Sequence, residues 1–152
     1  MTNRRIAVIA GGVGSPSSTR MLADRLAAAV GSQLRDRGVP AQVEIVELRE
    51  HARALADAIV TGFPAGELRD AIRTVTTADA VVAVTPVFAG SYSGLFKMFV
   101  DVLEPDALVG KPVLLAATAG TARHSLVIEH AMRPPFSYLR ALTLPTGVFA
   151  AP

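Results

Sequence analysis

Apolar positions recur along this chain with two periods in turn, and the switches between them lay out its elements. Arg4 to Ala10 contains a short unbroken apolar run, the pattern of a strand covered on both faces. Leu22, Leu26, Val30 and Leu34 then recur at helical spacing between Met21 and Arg37, and Gly38-Val39-Pro40 stops them. Gln42 to Leu48 alternates imperfectly, with Glu44 and Glu47 on different faces, which places a second strand near a sheet edge. An alanine-rich helix over His51–Val60 breaks at Thr61-Gly62-Phe63-Pro64, and Gly66 to Thr77 resumes with Leu68, Ile72 and Val75 on one face. Asp79 to Val84 is the most β-rich run and predicts a central strand. A helix over Gly94–Leu103 and a fourth strand over Pro112–Ala117 follow. Ser125 to Met132 starts another helix, which Pro134-Pro135 is expected to interrupt before Phe136–Leu139, and Leu142 to Phe149 reads as a fifth strand.

This β-α-β-α-β-α-β-α-β order has crossovers long enough for helices, so it predicts one α/β domain: a parallel sheet with helices on both faces. No helical pattern follows the fifth strand before Pro152. One face of that strand is therefore expected to lack its helix, the cover coming either from a partner subunit or from a tail beyond Pro152.

Composition narrows the function classes. The chain has 152 residues, the size of one domain, and its 51% hydrophobic and 18% charged content argues for an ordinary buried core. No apolar run approaches the ~18–20 residues that span a bilayer, and the opening run is too short for a signal peptide, so a cytoplasmic location is expected. Cysteine is absent, which removes disulfides, thiol nucleophiles and thiolate metal sites. The net charge is only +2 and the basic residues are scattered, so no nucleic-acid partner is expected. No Ser/His/Asp arrangement or metal-ligand cluster suggests itself, and no catalytic side chain or metal is assigned.

In a parallel sheet the loops after strands one, three and four meet on one rim, where open α/β sheets bind ligands. Here those loops are residues 11–20, 85–93 and 118–124, and they are the richest in Gly, Ser, Thr and Pro. The first, G-G-V-G-S-P-S-S-T-R, combines glycines, hydroxyls and a helix start, a combination that suits a phosphate. Gly12 to Ser17 reads G-x-G-x-x-S, one residue short of a dinucleotide fingerprint, and Glu47 stands where a ribose-binding acid would belong. Yet the third glycine is missing, and Ser17-Ser18-Thr19 supplies hydroxyls in its place. A terminal phosphomonoester, with three free oxygens, uses such donors better than a bridging pyrophosphate does. Ser15, Ser17, Ser18 and Thr19 are the candidate donors, the three nearest the helix being favoured, with a plain helix N-cap as the alternative role of Ser18 or Thr19.

The first loop together with the second, T-P-V-F-A-G-S-Y-S-G-L-F-K, resembles the NADPH-dependent FMN reductase family of flavodoxin-like proteins. The third loop, A-T-A-G-T-A-R-H-S, is similar to that family's loop after strand four. Thr61–Pro64 and the run Pro134–Ala141 resemble a subgroup that supplies reduced flavin to monooxygenases. The resemblance implies a flavodoxin-like, five-stranded parallel sheet of order 2-1-3-4-5, FMN as cofactor, and NADPH or NADH as co-substrate. It places Pro86, Val87, Phe88, Ala89 and Gly90 along the flavin, with Ser91 and Tyr92 nearby. Gly120 and Thr121 would approach its pyrimidine edge from the loop that opens at Thr118. His124 would face the substrate pocket or merely neighbour a helix start, and Arg20 or Arg123 would meet the 2′-phosphate of NADPH.

The expected activity is hydride transfer from nicotinamide to flavin N5, by a homo-oligomer that hands reduced FMN to a partner monooxygenase or another acceptor. On the helix after the second loop, Lys97 and Asp101 are expected to bridge subunits, or else to pair within that helix. The same scaffold also suits a quinone, azo-dye or metal-ion reductase, and a non-flavin binding module stays open. An electron-transfer flavodoxin fits less well, because such carriers are strongly acidic and this chain has a pI near 9.5.

Overall fold

A computed structural model describes residues 2–152. Four strands form the parallel core: β1 (Arg4–Ala10), β2 (Ala41–Glu47), β3 (Ala80–Phe88) and β5 (Pro112–Thr118), in the spatial order β2-β1-β3-β5. The remaining edge is shared by two short strands, β6 (Leu142–Thr143) and β7 (Val148–Ala150), both parallel to β5. One more pair of residues, β4 (Ser91–Tyr92), folds back antiparallel on the end of β3. The doubly wound flavodoxin-like order is therefore present, but in seven strands rather than five.

Both extra strands have local causes. The fifth strand read from the sequence splits because Pro145 has no N–H to donate to the ladder. Arg133 holds the two carbonyls of the break, donating to Leu144 O and Pro145 O, each at 2.8 Å. At the other extra strand, Val87 and Phe88 pair with Tyr92 and Ser91 across a two-residue turn. Ala89 (φ 48°) and Gly90 (φ 82°) both lie in the left-handed region, as the centre of a type I′ hairpin requires. Thus β3 runs on through Phe88, into what reads from sequence as loop.

Helices α1 (Ser18–Asp36), α2 (Ala52–Thr61), α3 (Glu67–Thr76), α4 (Gly94–Val102) and α5 (Arg133–Tyr138) cover the sheet. On one face α1 alone packs Leu22, Leu26 and Val30 against Ile6, Val8, Val82 and Val84, while Leu114 and Val148 stay only half-buried. The other four pack Leu55, Leu68, Val75, Phe96, Phe99 and Phe136 against Ile9, Val81 and Leu115 on the opposite face.

One expectation about a helix is corrected. Pro134-Pro135 does not interrupt the last helix. The pair falls in the first turn of α5, where an N–H is not required, after a π-helical turn over Ile128–Met132. Of the two readings of Lys97 and Asp101, the pairing within α4 is present, at 2.8 Å between half-exposed side chains.

The sheet's other rim carries a pH-sensitive tie. The Arg5 N–H donates to Asp79 Oδ2 at 2.7 Å, and this bond, with the Arg4 guanidinium nearby, holds the Asp79 carboxyl below its ordinary value of 3.8. A depressed carboxyl stabilises the fold above its unfolded-state value, and that contribution disappears as the pH falls through the folded-state value. An Asp79→Asn variant is therefore expected to unfold at lower urea than wild type near neutral pH, with the two midpoints drawing together as the pH falls below 3.8. A gap that stays constant across this range would contradict the assignment.

Candidate functional site

The first loop is shaped by what its glycines leave room for. A Cβ on Gly12 would stand within 2.4 Å of Ser17 Oγ and 3.1 Å of Thr19 Cβ. Without it, Ser17 tucks under the helix as the N-cap, and its hydroxyl accepts from the Arg20 N–H at 3.1 Å. The helix thus starts at Ser18, three residues earlier than the apolar periodicity indicates. Its first N–H groups have no intrahelical acceptor, and its first turn carries no acidic side chain.

Buried hydroxyls fasten the three loops together. Thr19 Oγ1 and Thr118 Oγ1 lie 2.9 Å apart, joining α1 to β5. Ser93 caps α4 by accepting from the Phe96 N–H, and its hydroxyl donates to Gly11 O at 2.7 Å. The Ser93 N–H in turn reaches Thr85 Oγ1 at 3.0 Å. Because a buried hydroxyl left without a partner costs ~1–3 kcal/mol, these links hold the rim in one arrangement.

Between the loops lies a cleft of about 500 Å³, within the ~300–1,000 Å³ common for small-molecule sites. Ser18, Met21, Leu22 and Arg25 of α1 line one side. Pro86, Val87 and Phe88 of β3, Thr118, Ala119 and Gly120 after β5, and Ala150 to Pro152 line the rest. The α1 residues stand at i, i+3, i+4 and i+7, one helical face. Sequence reasoning missed Met21, Leu22 and Arg25 because they become a face of the cleft only once the helix is known to begin at Ser18. Ala150 to Pro152 carry no sequence signal at all.

The expected site residues divide. Ser18, Pro86, Val87, Phe88, Thr118 and Gly120 come together in the cleft. Ser17 stands next to it as the cap, and Ser15 lies on the exposed bend before a cis Pro16. Ala89, Gly90 and Ser91 form the hairpin tip rather than the cleft wall. Thr19 is placed differently from expectation: its hydroxyl is buried against Thr118, leaving its backbone N–H at the helix start.

Arg20 is turned to other partners, Nε to Asp24 at 2.9 Å and Nη1 to Glu47 at 2.5 Å. The Asp24 hydrogen bond above all raises its pKa. Thr121 caps the short turn Ala122–His124. His124 lines not the cleft but a separate hollow of about 290 Å³, with Arg123, His130 and Gly90. Glu47, placed by sequence where a ribose-binding acid belongs, is buried between two arginines.

The chemistry available is that of binding and orientation. Hydroxyls, helix N–H groups and the absence of a first-turn carboxylate suit a phosphomonoester at the loop. The cleft beside it, walled by β3 and the Thr118–Gly120 segment, suits a flat ring. The residues present therefore fit FMN. Among the described residues there is no cluster of three or more His, Asp or Glu side chains able to hold a metal ion, and no helix long and apolar enough to cross a membrane.

Comparison with known proteins finds FMN reductases. A family model described as NADPH-dependent FMN reductase matches residues 4–152. The NADH-dependent FMN reductase SfnE of Pseudomonas putida is 41% identical over 150 residues, covering 99% of this chain and 78% of the relative. The FMN reductase (NADPH) of Pseudomonas aeruginosa is 37% identical over 147 residues, covering 97% and 76%. An oxidoreductase from Corynebacterium diphtheriae superposes with a TM-score of 0.93 at 47% identity, covering 97% of this chain and 81% of that one.

Proposed function

The chain belongs to the NADPH-dependent FMN reductase family, oxidoreductases that work on FMN with NAD(P)H as electron donor, and on that premise we propose how its residues serve the reaction. When bound, FMN supplies an N5 that accepts hydride from nicotinamide C4. Ser17, Ser18 and the N–H groups of Ser18 and Thr19 hold the phosphate, with Ser15 on the outer bend. Pro86, Val87 and Phe88 and the Thr118–Gly120 segment hold the ring, and Thr121 and the hairpin tip at Ala89, Gly90 and Ser91 border it. Such a site works by placing donor and acceptor in contact, which needs no nucleophile from the protein.

The observation that carries this reading is the Gly12–Ser17 cradle opening, at a helix start, on a cleft lined by the ends of β3 and β5. Phe88 and Ser18, exposed on the open side of the cleft, would leave reduced FMN a way out to a flavin-dependent monooxygenase. The resemblance of Thr61–Pro64 and Pro134–Ala141 to monooxygenase-supplying reductases supports that acceptor. Ile59, Val60 and Phe63, exposed together at the end of α2, support a homo-oligomer.

Steady-state oxidation of NADH and NADPH with FMN, FAD and riboflavin tests the reading. Turnover with free FMN and a rise in melting temperature on adding FMN are expected. Binding of FMN without turnover would instead indicate an electron carrier, and no stabilisation at saturating FMN would remove the flavin site.

A further inference from the structure

Glu47 is the charged side chain that the described core encloses, only 8% exposed, and hydride transfer between nicotinamide and flavin has no use for it. It ends β2 beside Ala10, the last residue of β1 before the first loop. Its two oxygens serve two arginines, Oε2 meeting Arg20 Nη1 at 2.5 Å and Oε1 meeting Arg49 Nε at 2.9 Å. Arg49 then donates from Nη1 to Gly14 O at 2.7 Å. Among the described residues, this is the one side-chain bond that reaches the exposed bend at residues 13–16. Arg20 sits in the first turn of α1, where its N–H is already held by Ser17 Oγ. One carboxylate thus governs both ends of the loop, the helix end through Arg20 and the bend through Arg49.

We propose that Glu47 is a positioning residue, holding residues 13–20 through Arg49 and Arg20 in the geometry that receives the FMN phosphate. The inference rests on the phosphate assignment made above for this loop. A bend containing Gly14 beside Gly12 is free to wander unless something fixes a backbone atom, and Gly14 O is the atom fixed. A loop ordered before its ligand arrives loses less freedom on binding. Two guanidiniums hold the one buried carboxylate from both sides, because swinging both away would leave the Glu47 charge buried without a partner.

Charge alone would act the other way. A carboxylate near a dianionic phosphate repels it, so removing Glu47 without any loss of order would tighten FMN. The sign of the effect therefore separates positioning from simple electrostatics.

The test is the dissociation constant of apoprotein for FMN and for riboflavin, read by flavin fluorescence quenching, in wild type, Glu47→Gln, Arg49→Met and the double variant. Glu47→Gln is expected to weaken FMN about tenfold and leave riboflavin unchanged, Arg49→Met to do the same, and the double variant to be no worse than either. Unchanged or tighter FMN binding in Glu47→Gln, a parallel loss of riboflavin, or additive single effects would overturn the proposal. If Glu47→Gln fails to fold, Arg49→Met decides. Its loss of FMN affinity must persist in high salt, where a mere loss of charge fades. Wild type that binds FMN and riboflavin equally would sink the phosphate assignment itself, whereas a wild-type preference surviving in both variants sinks only the role of Glu47.

Discussion

A Gly12→Ala variant will remain folded yet lose most of its preference for FMN over riboflavin, by about a hundredfold if two phosphate hydrogen bonds of ~1.5 kcal/mol each are lost. The added Cβ would stand 2.4 Å from Ser17 Oγ and 3.1 Å from Thr19 Cβ, and both are fixed. Ser17 is capping α1, and Thr19 is bonded to Thr118 inside the rim. Relief requires Ser17 to swing out of the cap, at ~1 kcal/mol of helix stability, and to leave the position from which it meets the ligand. Riboflavin, which lacks the phosphate, depends on the ring-side walls and is expected to bind almost as before. Fluorescence titration of both flavins against the apoprotein checks this, and an equal loss for the two would show that the loop does not hold the phosphate.

Phe96→Ala should be the most damaging single truncation near the site, destabilising by ~3–5 kcal/mol and lowering the melting temperature by roughly 10 °C. The side chain is almost fully buried, and its ring centroid lies 5.9 Å from Tyr92 and 6.0 Å from Phe136. A Cβ on Gly11 would come within 3.1 Å of it, so it also supports the backbone where the first loop begins. Its removal leaves a cavity under the start of the first loop, the hairpin and α5 at once. Urea unfolding should show the loss, and FMN should bind more weakly through the loosened rim. A cost under 1 kcal/mol would mean that α5 collapses readily into the space.

The sequence and the structure agree most closely where local chemistry acts alone. The runs Ile6–Ala10 and Val81–Val84 are buried strands because their apolar residues have two covered faces to fill. Glu47 breaks the alternation of β2, and β2 is indeed an edge strand of the sheet. Agreement weakens where a residue's partner is far along the chain. Nothing near Thr19 announces that its hydroxyl belongs to Thr118, 99 residues away, and nothing near Arg49 announces Gly14. The hairpin at Ala89-Gly90 lacks the asparagine or aspartate that usually marks its turn type, so it reads as loop.

By itself the sequence determined the order of the main helices and the four core strands, the parallel sheet, the rim where three polar loops gather, and the family. The first three follow from hydrophobic period, glycine and proline placement, or a run of hydroxyls, all of them properties of neighbouring residues, and the family from the resemblance of the three loop motifs. Only the tertiary structure decided which hydroxyls are free. It committed Thr19 to Thr118 and Ser93 to Gly11, left Ser17 as the cap and Ser18 on the cleft, and drew Arg20 and Arg49 onto Glu47. The physical reason is that a buried polar group must find a partner wherever the fold brings one. The groups left over at the rim, whose backbone N–H and hydroxyl donors stay unclaimed, are those available to a ligand.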